Sequence, residues 1–399
     1  MKHDYDVIII GGGMVGASLA IALSQDPSLK VAVIEAHQPN ILNQHDQPDL
    51  RVSAITRASE NMLKNLGVWQ HLIPSRISRF SDVHVWETRN DHLHFDCADI
   101  GEPILGYIIE NRHIQQAAMT RCKQLSNIDF ICPVKPTECN DHTITCDNGR
   151  TLSAKLIVGA DGAHSLLREW LTIDVRGWDY QQTAVVCTVA TEHTHQNTAW
   201  QHFLPEGPLA FLPLADPHQC SIVWSNSTEQ AELLSQLDDD SFKTVLNNAF
   251  DRTLGDIVEL SSRASFPLKL RHADHYVETG FALVGDAAHT IHPLAGQGVN
   301  IGLLDAATLA EVVLDAHTKG RDIASLHTLN KYQRRRKGDN LTMQLTMDLF
   351  KRGFGSDLAP IRWARRYGLK TVNQSQLLKN LFMKHASGHR FANPKISQP

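Results

Sequence analysis

The sequence predicts an α/β protein. A parallel-sheet domain is interleaved with a second, sheet-rich domain, and a basic helical region follows. Three observations predict this. The amino-terminal run Val7-Ile8-Ile9-Ile10 leads into Gly11, Gly13 and Gly16, a helix, and a second strand ending at Glu35. Two later apolar strands also end on an acid beside a glycine, at Asp161-Gly162 and Gly285-Asp286. The segments between them carry short, β-rich stretches such as Thr183 to Ala190 and Cys220 to Trp224.

The first strand is continuously β-branched, as expected where both faces of a parallel sheet are covered. The glycines that follow have GxGxxG spacing. Gly11 permits a tight turn, Gly13 lets backbone approach a pyrophosphate, and Gly16 permits close helix–strand packing. The helix Ala17 to Leu23 presents free N–H groups and a positive dipole end to an anion. The strand Val31 to Ile34 then delivers Glu35, which can accept hydrogen bonds from a ribose diol. Such a Rossmann-like unit suits any adenosine-bearing dinucleotide and does not separate FAD from NAD.

The strand Leu156 to Val158 breaks at Gly159-Ala160-Asp161-Gly162, with Ser165 and Arg168 beyond it. Two readings are open here: a ligand-binding turn, or a strand end followed by a serine-capped helix. The run from Gly285 to Gly298, GDAAHTIHPLAGQG, follows the strand Phe281 to Val284. It places a carboxylate at a strand's carboxyl end, where open α/β sheets bind ligands. Its glycines allow backbone to approach a flat group.

In this order and at these separations, the three motifs resemble those of the group A flavoprotein monooxygenases. The segments Pro48 to Ser59, Leu105 to Asn111, Trp200 to Leu214 and Ser221 to Trp224 resemble the ubiquinone-biosynthesis hydroxylases more narrowly, and in particular those acting on a demethoxyubiquinone-type benzoquinol. The similarity spans nearly the whole chain and weakens in roughly the last 15 residues. The resemblance implies FAD as cofactor, NAD(P)H as reductant and dioxygen as co-substrate. A flavin C4a-hydroperoxide would hydroxylate the ring of a polyprenyl quinol or phenol. The cofactor residues it implies are Gly11, Gly13, Gly16, Glu35, Arg51, Gln115, Asp161, Arg168, Gly285, Asp286, Pro293, Gly296, Gln297, Gly298, Val299 and Asn300. Asp286 would contact the ribityl chain, and Pro293 to Gly298 would lie beside the isoalloxazine ring.

The resemblance further implies an FAD-binding domain from residues 1–75, 100–180 and 270–330. Residues 76–99 and 181–269 would form the substrate-covering sheet, and 331–399 the basic helical carboxyl-terminal region. Trp200, Phe203, Phe211, Leu212, Pro213 and Trp224 are candidates to cover an aromatic headgroup, or equally to pack a core. His289 and His292 flank the third motif. Each could assist phenol deprotonation, or could instead hydrogen-bond locally and shape the loop. Pro293 would act only by positioning.

The bulk numbers fit a globular enzyme: 399 residues, 42% hydrophobic and 20% charged. Seven cysteines, an odd number without CxxC spacing, argue against a disulfide framework and suggest a cytoplasmic setting. No metal site is expected: the HxH pairs at His92/His94 and His193/His195 have no evident third ligand. No run is long and apolar enough to span a bilayer, and nothing points to nucleic acid. Charge is uneven. From Lys331 onward there are 15 Lys and Arg against 3 Asp and Glu, although the whole chain carries −5. A basic tail containing Arg362, Arg365, Arg366 and Lys370 before Leu377, Leu378, Leu381, Phe382 and Met383 suggests a membrane surface or a protein partner, or a solvated helix facing the acidic body. Competing readings are a flavin hydroxylase of a small soluble aromatic and a non-catalytic FAD-binding subunit of a biosynthetic complex. Flavin halogenases fit less well, because the chain has no WxWxIP run.

Overall fold

The computed structural model describes residues 3–88, 91–290, 298–354 and 393–398. His292, Pro293, Gly296 and Gln297, and the stretch from Arg362 to Met383, lie outside those residues. The chain begins with β1 (Tyr5–Ile10), α1 (Met14–Leu23), β2 (Val31–Ile34), β3 (Val52–Thr56) and α2 (Arg57–Asn65). It continues with β4 (Ser78–Phe80), β5 (Asp82–Thr88), β6 (Asp91–Asp96), β7 (Gly106–Glu110) and α3 (Asn111–Cys122). Next come β8 (Ile128–Ile131), β9 (Pro136–Asn140), β10 (Thr143–Cys146), β11 (Thr151–Gly159) and α4 (Leu166–Trp170). The long strand β12 (Val175–Thr191) is followed by β13 (Thr198–Leu204), β14 (Gly207–Pro213), β15 (Gln219–Ser227), α5 (Thr228–Gln236) and α6 (Asp239–Ala249). The last elements are β16 (Ile257–Leu260), β17 (Ala264–Ala273), β18 (Val277–Glu278), β19 (Phe281–Leu283), β20 (His289–Thr290), α7 (Gly298–Thr318) and α8 (Leu326–Phe354).

The first sheet has the order β18-β19-β11-β1-β2-β8, with β10 joined to β11 and β9 to β10. Its five central strands, β19, β11, β1, β2 and β8, are parallel. Sequence order runs outward one way from β1 through β2 to β8, and the other way from β11 to β19. The reversal between β1 and β11 is the switch point at which such sheets open a crevice beyond their carboxyl ends. Ile8, Ile9 and Val33 have no exposed area, so these strands are covered on both faces, as their β-branched composition requires. α1 is buried from Gly16 to Leu23 and packs against α3 and α7.

The second sheet has the order β20-β17-β12-β15-β14-β13-β5-β6, with β16 also on β12. It is antiparallel except for β13 with β5. Within residues 76–99, β5 and β6 both join it. The sheet reaches beyond 181–269: β12 starts at Val175, β17 runs to Ala273, and β20 is a short strand added on β17. β12 and β17 keep pairing past a register shift between Asp179 and Gln182, which absorbs the extra residues at Gln181 (φ 52°).

The two faces of this sheet are both apolar but meet different partners. On the outer face, Val185, Leu209, Phe211, Ile222 and Trp224 pack under Leu234, Phe242 and Leu246 of α5 and α6. On the inner face, Ala199, Leu212 and Leu214 pack with Ile108, Val52, Ala54 and Phe80 of a small third sheet, β3-β7-β4. The Ser78 hydroxyl donates to the Leu214 carbonyl at 3.0 Å across that seam. All seven cysteines are free. Among the described residues no helix is long and apolar enough to cross a membrane.

Candidate FAD and substrate site

The amino-terminal turn is built by two close approaches. Gly11 has φ 101°, and a Cβ there would lie 2.5 Å from the Ala160 carbonyl oxygen. At Gly16 a Cβ would lie 2.0 Å from the Gly11 carbonyl oxygen. Gly13, which precedes α1, has nothing within 4 Å of its Cβ position, and no side chain caps the helix. The first-turn N–H groups of α1 thus stay available to an anion. Glu35 ends β2 with both oxygens fixed: one accepts from the Gly12 N–H at 2.7 Å, the other from the His37 N–H at 2.8 Å. Each oxygen keeps a lone pair for a diol.

Asp161 lies directly across the switch point, against Gly11. Its Oδ2 accepts from the Leu166 N–H at 2.7 Å and the Leu167 N–H at 3.4 Å, while its buried Oδ1 has no protein partner. Loss of hydration raises this carboxyl, opposed by bonds from Ser165 and the helix N–H groups. Ser165 caps α4, accepting from the Arg168 N–H at 3.2 Å, as the serine-capped reading of this turn expects. Arg168 itself is a brace. Its Nη1 donates to the Ala287 carbonyl and its Nη2 to the Ala163 carbonyl, both at 2.8 Å. That ties the second motif to the third and commits its two terminal nitrogens to backbone.

The third motif follows β19. Gly285, at φ 59°, sits against Val15 of α1, and Gly302 of α7 packs on both. Asp286 is exposed to solvent yet has protein on most sides, as for a carboxylate at the floor of a cleft. That enclosure raises its pKa, while His289 and Arg51 pull it back down. Arg51, just before β3, lies over the Phe266 ring at 5.8 Å. Arg51 and Asp286, far apart in sequence, thus lie within electrostatic reach of each other. Gln115 sits on α3, half-buried, whereas its neighbour Gln116 is bonded to Leu42 backbone. Gly298 and Val299 open α7. The Asn300 amide is buried and spent on the Ala54 carbonyl (2.7 Å) and the Thr56 N–H (3.1 Å). Only its backbone remains for a ligand.

Of the two roles open to His289, the local hydrogen bond is the one seen. The residue is buried on β20 and its Nε2 meets Asp305 Oδ2 at 2.5 Å. Asp305, on α7, also accepts from Arg336 Nε at 2.7 Å. Sequence reasoning missed Asp305, although an acid within the apolar run IGLLDAATLA was a visible signal. Arg336 had none, being one of four consecutive basic residues. Burial would raise the Asp305 carboxyl, but His289 and Arg336 outweigh it and hold the pKa at about 2, against an ordinary 3.8. A depressed carboxyl stabilises the fold at any pH above its unfolded value and loses that contribution as pH falls through its folded value. Acid unfolding of the wild type should therefore show a component between 3.8 and about 2 that Asp305→Asn lacks. Equal acid profiles of the two proteins, followed by fluorescence, would remove this assignment.

The substrate candidates divide by face. Trp200 stacks on His84 at 4.7 Å, Phe211 on Phe250 at 3.6 Å, and Trp224 lies 6.5 Å from Phe242. All three belong to the outer cluster beneath α5 and α6, not to the cleft. Pro213 pairs with Cys220, of that same cluster, and so shares their face. Phe203 alternates with Ala199 onto the inner face and pairs with Pro208. Phe266, opposite Ala184, shares that face and was missed. His94 is bonded to Asp82, and His195 to the Leu214 and Asp216 carbonyls.

A parallel sheet with acid-bearing turns at the carboxyl ends of its strands, joined to a second, largely antiparallel sheet, is the architecture of FAD-dependent oxidoreductases of the aromatic-hydroxylase type. Family models agree: one described as an FAD binding domain matches residues 137–344, and one described as an FAD dependent oxidoreductase matches residues 6–43. Solved structures share the fold at low identity. The p-nitrophenol 4-monooxygenase of Pseudomonas putida has TM-score 0.78 at 19% identity over 98% of this chain and 100% of its own. PqsL of Pseudomonas aeruginosa has TM-score 0.73 at 20% identity over 92% and 99%. Curated relatives are nearer in sequence. The 3-demethoxyubiquinol 3-hydroxylase of Escherichia coli is 39% identical over 96% of this chain and 98% of its own length. The ubiquinone hydroxylase UbiL of Rhodospirillum rubrum is 38% identical over 96% and 89%. The human mitochondrial ubiquinone biosynthesis monooxygenase COQ6 is 34% identical over 96% and 92%. The chain belongs to the family of FAD-dependent hydroxylases of ubiquinone biosynthesis.

Proposed function

We propose that the chain hydroxylates the ring of a polyprenyl benzoquinol of the demethoxyubiquinol type, with FAD held in the switch-point cleft. The observation that carries this is the convergence of three distant motifs through direct contacts: Gly11 against Asp161, Gly285 against Val15, and Arg168 on Ala287. The residues present fit FAD. Gly11, Gly13, Gly16 and the start of α1 would receive the pyrophosphate. Glu35 would take the adenosine ribose, and the unpartnered Asp161 oxygen, an acceptor, would take a hydroxyl of the cofactor. Asp286, with Arg51 beside it, would face the ribityl chain, and the backbone of Gly298 to Asn300 the ring. Gln115 is a further contact from α3. Pro293, Gly296 and Gln297 are proposed from the motif alone.

Bound FAD supplies electron transfer from NAD(P)H and activation of dioxygen. The chain's part is to orient the quinol and to keep water out. Phe203, Phe266, Leu212 and Val223, on the inner face of the second sheet, are the residues we assign to that wall. His289 acts through Asp305 rather than on substrate. The test is NAD(P)H oxidation by FAD-loaded protein with a short-chain demethoxyubiquinol. The expected outcome is stimulated oxidation and a product heavier by one oxygen atom. FAD bound but no stimulation by the quinol would overturn the substrate reading.

The basic carboxyl-terminal region suits docking on an anionic membrane surface, where a polyprenyl substrate resides. Removing residues 371–399 should abolish sedimentation with vesicles rich in anionic lipid while leaving FAD bound. Unchanged sedimentation would refute docking through this region.

A further inference from the structure

We propose that Asp305 is the positioning residue for the loop Gly285 to His289: one buried carboxylate on α7 that sets where Asp286 stands at the flavin end of the cleft. The inference rests on the reading that Asp286 faces bound FAD.

Asp305 has no exposed area and takes four donors. Oδ2 accepts from the Gly285 N–H at 3.1 Å and from His289 Nε2 at 2.5 Å, which are the two ends of the loop. Oδ1 accepts from Arg336 Nε at 2.7 Å and Asn340 Nδ2 at 3.3 Å, both on α8. The division of labour is geometric: one oxygen fixes the loop, and the other binds the helix that compensates the charge. The interior of the loop is tied separately. The Ala287 carbonyl receives Arg168, and the Ala288 carbonyl receives the Ala273 N–H at 2.8 Å. With its backbone so held, the loop projects the Asp286 side chain from a fixed base.

A buried ion pair is weak evidence of stabilisation, since an apolar pair of similar volume often replaces it without loss. Asp305 differs because its second oxygen serves a ligand-facing loop. An asparagine cannot do both tasks. If its oxygen met Arg336, its amide would face the donors of Gly285 and His289. The network behind it is also polar and buried: Arg336 Nη2 donates to Asn340 Oδ1 at 2.9 Å, and Asn340 Nδ2 reaches the Tyr276 hydroxyl at 3.4 Å.

The experiment compares wild type, Asp305→Asn and the double variant Asp305→Leu with Arg336→Met. Thermal midpoint, amide exchange of residues 285–289 in FAD-free protein, and FAD affinity by flavin fluorescence are measured on each. Asp305→Asn should speed exchange at Gly285 and weaken FAD about tenfold, the scale of one lost hydrogen bond to a charged group. The double variant should regain the thermal midpoint but neither slow exchange nor FAD affinity. It carries the test if Asp305→Asn does not fold. A double variant that regains all three, or an Asp305→Asn protein with wild-type exchange and affinity, would overturn the proposal. Asp286→Ala separates the two layers. Unchanged FAD affinity in that variant refutes the cofactor reading, while the exchange data still judge the anchor.

Discussion

Gly16→Ala should yield a chain that folds but cannot retain FAD. The added methyl would lie 2.0 Å from the Gly11 carbonyl oxygen and 3.0 Å from Ala160 Cβ, so something must move. The obstacle is backbone on one side and the neck of a buried strand on the other, and neither can swing away. α1 must therefore lift from β1 and β11, at an overpacking cost of about 1–3 kcal/mol. The same shift carries its first-turn N–H groups off the phosphates. We expect a fall in FAD affinity of about two orders of magnitude, equivalent to about 3 kcal/mol. Gly13→Ala is the control. Its methyl meets no protein atom within 4 Å, so the thermal midpoint should be unchanged while FAD is still lost, because the methyl enters the anion's space. Wild-type FAD content in Gly16→Ala would mean that α1 does not carry the pyrophosphate.

The parts of the site legible in the sequence are those set by backbone. Gly11 and Gly16 are glycines because a Cβ at either would collide with main chain, and that demand shows as spacing within a few residues. Glu35 was legible because it ends a short strand at a fixed distance from the turn, and the structure holds it by the N–H groups of Gly12 and His37. The acids ending β11 and following β19 were legible for the same reason. What could not be read is pairing across long separations. Nothing in the sequence shows that the Arg168 guanidinium closes on carbonyls of its own turn and of Ala287, 119 residues away. Nothing in the run RRRKG says that Arg336 turns inward to the buried Asp305 while Arg335 meets the half-exposed Glu311 and Arg334 stays exposed.

Faces of the second sheet failed for a different reason. Alternation identifies a face only when one side is wet. β14 and β15 are covered by helices on one side and by the small third sheet on the other, so apolar residues occupy both registers. Choosing by size then misleads. The largest aromatics went to the helix-covered face, where α5 and α6 leave room for rings. Smaller Leu212, Val223 and Ala210 went to the side that adjoins the cleft.

That division makes Phe211→Ala a stability variant and not a substrate variant. Phe211 is fully buried and lies flat on Phe250, with ring centroids 3.6 Å apart and planes 10° apart. Deleting such a ring removes its transfer energy and leaves a cavity, together about 3–5 kcal/mol. The thermal midpoint should drop by several degrees, with the KM for quinol unchanged at a temperature where the protein remains folded. Phe203→Ala should do the reverse. Its ring is only half-buried and lies on the opposite face, so the fold should lose little while KM rises. The two substitutions delete the same atoms from strands that pair with each other, so chemistry is held constant and only the face differs. If Phe211→Ala raised KM with stability intact, the outer cluster would be part of the substrate wall, and the assignment of faces to function would have to be exchanged.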